Sequence, residues 1–375
     1  MRWKGTLFLL GLSALLPVSG LAGKPGVVAE PFGAGDPWPA FQYARADAKG
    51  RVYVLRADTL EVYPVGKDGL FGEPSKLETA RAESTPVLSA AMGDGPGEWM
   101  LLRPTGLQRF VDGKEKPLPP IPWEPYRVGY RRGSPVVSVL PWPAPVNGRV
   151  TLHKGKEPSA GPVIMELNGD RWSVLVEEAW PAEPDHLAIR EGFGRSLLGD
   201  REGKLWAARN YAYVLDRYSP SGRPLLQVKV ENGQATHPKD VAVPAELSAE
   251  DRKHFHAFVG VLKVPDLVEG PDHLIYLAVQ NGGQGLALDR YDPAQGTLQR
   301  VELRLQVPGF LTLAAGRDAL YLAAPRGDNG RWRIAWEALN QADWKTVSMN
   351  GAARQVPPPE GKGRQPVKKS PTRMR

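Results

Sequence analysis

The two histidines that lie closest together in the chain are His254 and His256, with His237 upstream. Imidazole nitrogens bind zinc and other transition metals, so this stretch is a candidate metal or ligand site. On a helix, residues two positions apart point about 200° away from each other and would not share a metal ion. On a strand they would share a face. The pattern therefore leaves open a ligand contact at His256 and histidines that are simply exposed or packed.

Four acidic residues follow a strand-like run: Glu177, Glu178, Glu183 and Asp185. A glycosidase needs two carboxyl groups held about 5–10 Å apart across its substrate. Sequence neighbours on a strand face opposite ways, so adjacent glutamates do not form such a pair. We expect this cluster to be a solvated loop.

Other chemical motifs are scarce in the sequence. The segment GDGPGE at 93–98 lacks the alternating acidic ligands of a calcium loop, so we predict a turn there. The chain has no cysteine, which excludes disulfides, thiolate metal sites and cysteine catalysis. Because no phosphate loop, nucleophile elbow or zinc-protease motif occurs, we expect no cofactor. A divalent metal stays open without a motif to support it.

Tryptophans and arginines provide further candidates for binding. Trp38 lies in a Pro-rich connection, where an indole can stack on a sugar or a peptide. Arginines near the starts of two predicted strands would form an anion-binding mouth if those strands began on one rim, namely Arg127, Arg131, Arg132, Arg190 and Arg195. We therefore name as candidate ligand-binding residues Trp38, Tyr126, Arg127, Arg195 and His256. The ligand expected there is a protein, a peptide or a glycan.

A repeated unit must position these residues. The stretch 200–225 reads as a polar turn at Asp200, a short run around Trp206, a second run ending at Tyr218, and a Pro/Gly turn. Similar strings begin at Asp47 and Asp272. Asn-Gly and Asp-Gly pairs, which favour tight hairpin turns, recur along the chain. The pattern predicts one supersecondary unit repeated.

The spacing of aromatic residues indicates the number of units. The anchor aromatics of the first run are Tyr53, Trp99, Trp206, Tyr276 and Tyr321. A sixth unit around 134–140 fits the long interval between Trp99 and Trp206. A period of about 40–50 residues with four short strands is typical of a β-propeller blade. We predict an all-β, six-bladed β-propeller, closed through Val27 and Val28, with one short helical insertion at 248–257.

The order Asp-x-x-Gly-basic-apolar-aromatic, followed by Asp-Arg-Tyr and a Pro/Gly turn, resembles the NHL-type six-bladed β-propellers. The match is best over 47–66, 200–223 and 272–296. Relatives of this fold include binding scaffolds, lactonases with a central metal, and lyases. The resemblance therefore implies a fold and leaves the activity open.

The two ends of the chain differ from its body. Residues 1–22 show a basic start, an apolar run and small residues, which is the order of a cleaved secretory signal peptide. Of the net charge of +7, the leader contributes +2 and residues 354–375 contribute +6, which leaves −1 for the body. We therefore expect no nucleic-acid partner.

We divide the chain into a leader at 1–22, a propeller at 23–353 and a disordered basic tail at 354–375, with weak contact between the tail and an anionic surface. After cleavage the protein would not be integral to a membrane, and it would be secreted or periplasmic. We predict a binding or scaffold protein. The alternative is a propeller hydrolase or lyase with a site in the central channel, and whether the protein is an enzyme stays undecided.

Overall fold

The computed structural model describes residues 27–33, 42–79, 85–143, 160–179, 194–209, 213–230, 262–281, 286–303, 305, 311–324, 330–349 and 354–355. These residues form six antiparallel sheets, as the repeat predicts. The sheets are the blades of a six-bladed β-propeller, so the predicted fold class is confirmed. The helix predicted at 248–257 lies outside the described residues.

The first three blades use consecutive strands of the chain. Blade one contains β2 (Gln42–Ala46), β3 (Val52–Arg56), β4 (Glu61–Pro64) and β5 (Ser75–Lys76). Blade two contains β6 (Ser89–Met92), β7 (Trp99–Arg103), β8 (Gly106–Val111) and β9 (Lys114–Lys116). Blade three contains β10 (Trp123–Arg131), β11 (Ser134–Pro143), β12 (Ala160–Asn168) and β13 (Arg171–Ala179).

The last three blades recruit strands from the chain ends. Blade four contains β14 (Arg195–Gly199), β15 (Leu205–Arg209), β16 (Val214–Tyr218), β17 (Pro224–Lys229) and β27 (Arg354–Gln355). Blade five contains β18 (Leu262–Lys263), β19 (Leu267–Glu269), β20 (Ile275–Asn281), β21 (Leu286–Asp292), β22 (Thr297–Leu303) and β26 (Lys345–Thr346). Blade six contains β1 (Glu30–Pro31), β23 (Thr312–Ala315), β24 (Ala319–Ala323) and β25 (Arg331–Ala335).

The first strand of each blade lies at the centre of the ring. These innermost strands contact one another in succession, from β2 through β6, β10, β14 and β19 to β23, and β23 contacts β2 again. The ring closes when β1 pairs with β25, Glu30 opposite Arg333 and Pro31 opposite Trp332. The closing residues therefore differ from the predicted Val27 and Val28; Val27 instead bridges Leu303 of blade five.

Each second strand is buried on both of its faces, because blades pack against each other face to face. The strands β7 and β24 are buried at all their positions, so their sequences are continuous apolar runs and do not alternate. The anchor aromatics lie here, and all five are at least 94% buried. Several donate a hydrogen bond to the turn that precedes them: Trp206 Nε1 to Asp200 Oδ2 and Tyr276 Oη to Asp272 Oδ2. In these units the repeated Asp lies in the turn, and the repeated aromatic of the following strand donates a hydrogen bond to its carboxylate.

The chain after blade six runs back along the outer edges of two blades. A five-residue helix, α1 (Trp336–Asn340), follows β25, and it was not predicted. Strand β26 then pairs with β22, Met349 bridges Val230, and β27 pairs with β17. We call the described residues 343–349 and 354–355 the C-terminal strap. The first two residues of the predicted tail, Arg354 and Gln355, therefore pair with blade four, and the rest of the tail lies outside the described residues.

The two faces of the ring are built differently. On one, the turn face, first strands join second strands through short turns, such as 47–50, 93–98, 200–203 and 270–273. In blades two to five, turns of similar length join third strands to fourth strands on the same face. On the other, the loop face, second strands join third strands and each blade joins the next. The long stretches 144–159, 180–193 and 231–261 connect strand ends at the loop face. The described strand ends that flank these three stretches therefore all lie on the loop face.

Candidate functional site

The candidate site is a cavity at the centre of the ring, near the start of the innermost strands. Its volume is about 40 Å³. It is lined by residues of all six blades: Tyr43, Arg45, Leu88, Ser89, Arg127, Val128, Ser196, Leu197, Pro265, Asp266, Leu311 and Thr312. Four of the innermost strands contribute their first or second residue to the lining, so these strands all begin beside the cavity. Because innermost strands begin at the loop face, the cavity lies toward that face.

Polar side chains around the cavity join each blade to the next. Tyr43 Oη donates to Val87 O at 2.6 Å, Val128 N donates to Ser89 Oγ at 3.3 Å, and Ser138 Oγ donates to Arg195 O at 3.0 Å. Ser196 Oγ donates to Pro265 O at 2.8 Å, Leu313 N donates to Asp266 Oδ2 at 2.8 Å, and Ala44 N donates to Thr312 Oγ1 at 3.0 Å. These six contacts complete the ring. Most polar groups of the cavity therefore have a structural role.

Arg45 is the most highly connected of the cavity residues. Its Nε donates to Ala90 O of blade two at 3.0 Å, and its Nη1 donates to Asp266 Oδ2 of blade five at 2.7 Å. Nη1 also lies 3.3 Å from Leu313 O of blade six. One guanidinium, carried by blade one, thus contacts three other blades. Its fixed, planar fork of donors suits it to this position better than a lysine.

The break in the innermost strand of blade five creates the acidic side of the cavity. Strands β18 and β19 pair with opposite ends of β20, and residues 264–266 lie between them outside both strands. Of these three residues, Asp266 still accepts through its carbonyl from Ala278 N of β20 at 3.1 Å. Pro265 has no N–H to donate, which explains an interruption at this point. The interruption exposes Asp266 to Arg45 and presents two carbonyls to Ser196.

The electrostatic surroundings of the cavity are positive. Burial raises the pKa of Tyr43 well above its usual value, while the nearby guanidiniums of Arg127, Arg45 and Arg103 oppose that rise. Tyr43 therefore stays protonated and keeps its hydrogen bond to Val87 O. Among the described charged side chains that line the cavity, Arg45 and Arg127 outnumber Asp266, and the net charge is +1.

One of the sequence-predicted site residues lines the cavity, and a second is its neighbour in the chain. Arg127 lines the cavity, and its Nη1 donates to Leu88 O at 2.9 Å. Tyr126 precedes it on β10, with Arg127 Cζ lying 5.4 Å from its ring centre. Tyr126 packs on Gly194 so closely that a Cβ there would lie 2.3 Å from its ring. Trp38 and His256 lie outside the described residues.

Arg195, the remaining predicted residue, does not reach the cavity with its side chain. It is fully buried, and its guanidinium pairs with Glu178 of β13 and contacts Tyr218 Oη at 3.3 Å. Glu178 also accepts from Arg209 at 3.2 Å. The predicted solvated cluster is thus wrong for Glu178, which binds blade three to blade four; Glu183 and Asp185 lie outside the described residues.

The other arginines of the predicted mouth are also engaged elsewhere. Arg131 pairs with Glu166 at 2.6 Å, and Arg132 Nη2 donates to Glu202 O at 2.9 Å. Both lie at the turn-face end of β10. Arg190 lies outside the described residues. The positive rim therefore consists of Arg127 together with Arg45, which sequence reasoning missed.

The missed residues lie in one region of the repeat, in the innermost strand or just before it. Arg45, Ser89, Ser196 and Asp266 each lie within a few residues before the turn Asp or its equivalent, because the innermost strand directly precedes that turn. Polar residues at these positions are the signal that could have located the cavity.

The described part of the chain contains no group of three or more His, Asp or Glu side chains able to hold a metal ion. Within the same residues no helix is long and apolar enough to cross a membrane.

Neither a family model nor a curated protein sequence matches the chain. Among solved structures, it is similar to a streptogramin B lyase, with 12% identity and a TM-score of 0.48, over 87% of this chain and 98% of the other. It is also similar to a Bacteroides thetaiotaomicron protein of unknown function, with 10% identity and a TM-score of 0.47, over 82% and 74%. A third is YCF48 bound to D1 peptide, with 14% identity and a TM-score of 0.42, over 84% and 98%. At such identities a similarity carries no information about activity.

Proposed function

We propose that this protein is an exported binding protein, a six-bladed propeller of the NHL type that holds a peptide, protein or glycan ligand against its loop face. The observation that carries the proposal is the difference between the two faces. The strand ends that lead into the long connections lie on the loop face, as does the cavity, while short turns join first strands to second strands on the turn face. Binding residues are commonly carried by long connections on a rigid scaffold.

The closure of the turn face supports this assignment. Asp47 accepts hydrogen bonds from two backbone amides of its own turn, and Asp200 accepts from Lys204 N at 2.8 Å. Backbone groups satisfied inside a turn have little left to offer a ligand. Such turns stiffen the ring and leave recognition to the opposite face.

The chemistry of the cavity supports binding more than catalysis. Asp266 accepts from Arg45 and from Leu313 N, and the hydroxyls of Tyr43 and Ser196 donate to backbone carbonyls. Groups held in this way position blades and are poorly placed to exchange protons with a substrate. The cavity has about 40 Å³, enough for about three water molecules and too little for a whole sugar or peptide.

The test begins with the purified protein screened against a displayed peptide library and an immobilised panel of glycans. Each ligand found is then measured against two variants with an aromatic ring removed. Tyr126→Ala changes the loop-face side of blade three, and His273→Ala changes an exposed ring in a turn of the turn face. The proposal predicts weaker binding by Tyr126→Ala and unchanged binding by His273→Ala.

The opposite pattern would place the ligand on the turn face and contradict the proposal. Conversion of the bound ligand into products, detected as a change in its mass, would make the protein an enzyme. Export is examined separately by the intact mass of the protein from culture, which should be smaller by residues 1–22.

A further inference from the structure

Two groups at the cavity keep hydrogen-bond donors for which the described residues supply no acceptor. Arg45 donates through Nε and Nη1, and its Nη2 has no partner among the described residues. Ser89 Oγ accepts from Val128 N, and its own proton has no acceptor in the described part of the chain. Ser89 is 96% buried. A buried hydroxyl that only accepts still has a donor to offer.

The remaining hydroxyls of the cavity differ from Ser89 in this respect. Tyr43 donates to Val87 O, Ser196 donates to Pro265 O, and Thr312 donates to Ala323 O at 3.2 Å. Their protons are therefore committed to the protein. The free donors lie on β2 and β6, the innermost strands of two adjacent blades, and Arg127 lines the same cavity from β10.

Donors without acceptors, together with a net positive charge, define what the cavity can hold. A cation is disfavoured because Arg45 and Arg127 outnumber Asp266. A planar oxyanion can accept from a guanidinium and a hydroxyl at once, and such charge-assisted hydrogen bonds are the stronger ones. The volume of about 40 Å³ limits the guest to a group of a few heavy atoms.

We propose that the cavity binds one carboxylate group of the ligand, held by Arg45, Arg127 and Ser89. The rest of the ligand then lies over the loop face. This inference rests on the proposed function and names the chemical group that anchors the ligand. The ligand is accordingly an acidic one, with its carboxylate supplied either by a peptide or by a sugar acid.

Small carboxylates test the site directly. Amide signals of Ser89 and Val128 are followed by NMR while sodium acetate is added, with sodium chloride replaced so that the ionic strength stays constant. We expect saturable shifts with a dissociation constant in the millimolar range, as suits a ligand of few atoms. The affinity should fall when the total salt is raised.

Two further pairs of probes distinguish the source of the carboxylate. N-acetyl-dialanine with a free terminus is compared with its amide, and glucuronate is compared with glucose. Tighter binding of the free peptide than of acetate indicates a peptide, and tighter binding of glucuronate indicates a sugar acid. In both cases the uncharged partner should fail to bind.

Variants assign the effect to the cavity. Arg127→Gln should weaken acetate binding about tenfold or more, and Arg127→Lys should be intermediate because it keeps the charge and loses the fork. Arg171→Gln removes an exposed arginine from the outermost strand of blade three and should change nothing. If Arg127→Gln proves unstable, Ser89→Ala takes its place, because it should also weaken acetate binding.

If none of the carboxylates produces saturable shifts, the assignment is overturned. Equal acetate binding by the wild-type protein, Arg127→Gln and Ser89→Ala would also overturn it. If ligands from the library still lose affinity with Tyr126→Ala, the loop face remains the binding face and only the carboxylate site is wrong. If carboxylates bind the cavity while no larger ligand uses the loop face, the proposed function fails and the anion site stands.

Discussion

Arg45 of blade one and Asp266 of blade five form an ion pair across the end of blade six, with Nη1 and Oδ2 2.7 Å apart. Both side chains are largely buried, with 18% and 10% exposed. Asp266 Oδ2 also accepts from Leu313 N of blade six at 2.8 Å. One carboxylate oxygen thus connects three blades, and it fixes the position of Arg45 beside the cavity.

Replacing Asp266 with Asn should therefore destabilise the ring. The variant leaves the Arg45 charge largely buried and without its counter-charge, which typically costs a few kcal/mol; we expect the free energy of unfolding to fall by about 2–4 kcal/mol. Urea denaturation followed by tryptophan fluorescence measures it. Asp58→Asn removes one charged partner of Arg56 in a more exposed pair and should change stability by less than about 1 kcal/mol. Equal effects of the two substitutions would show that the pair does not hold the blades together.

Trp206 should contribute to stability through packing and one hydrogen bond. It is fully buried, contacts Tyr291 edge-on at 5.8 Å, and donates to Asp200 at 3.1 Å. We expect Trp206→Ala to cost about 3–5 kcal/mol and Trp206→Phe, which keeps an aromatic ring, to cost less. A stable Trp206→Ala variant in the same denaturation assay would contradict its place in the core.

The repeat could be read from the sequence because it depends on local chemistry. A turn closed by Asp200 and an aromatic such as Trp206 that caps it lie within one short stretch of chain, and both recur in other blades. The strap could not be read in this way. Its pairing of Lys345 with Arg300 and of Arg354 with Gln227 joins strands distant in sequence, and nothing in the local pattern specifies such partners.

Truncation should separate the strap from the rest of the tail. Ending the chain after Gln355 should leave the melting temperature unchanged, whereas ending it after Asp343 should lower it by several degrees. The second truncation removes Trp344, whose Nε1 donates to Leu339 O at 2.7 Å and whose ring lies 4.1 Å from Arg290 Cζ. Differential scanning calorimetry measures both. Equal melting temperatures for the two truncations would mean that the strap does not stabilise blades four and five.

Buried tyrosines should make the fold sensitive to alkali. Burial, with a contribution from Asp318, raises the pKa of Tyr321 to about 12, above the value of about 10 in an unfolded chain. Below pH 10 both states keep the proton and stability is constant. Between about pH 10 and 12 only the unfolded state loses it, so the free energy of unfolding falls as the pH rises. In urea denaturation, the free energy of unfolding of Tyr321→Phe should fall less steeply over this pH range than that of the wild-type protein. An unchanged slope would contradict the raised pKa.

The candidate site was only partly predictable. Arg127 was found because an arginine at the start of a strand is visible in the sequence. Arg195 occupies a similar position, so the sequence assigns it the same role. That role is wrong because the guanidinium of Arg195 pairs with Glu178, and the sequence does not show that Glu178 lies within its reach. Arg45 and Asp266 were missed because each acquires its role only when the ring closes and blades one, five and six meet.

Hydrogen–deuterium exchange of the protein with and without a ligand from the library screen tests the binding face most directly. We expect added protection at the loop-face ends of the innermost strands, in 42–45, 88–90, 195–197 and 311–313, and none in the turns 47–50, 93–98, 200–203 and 270–273. Protection confined to those turns, with the strand ends unchanged, would contradict this expectation.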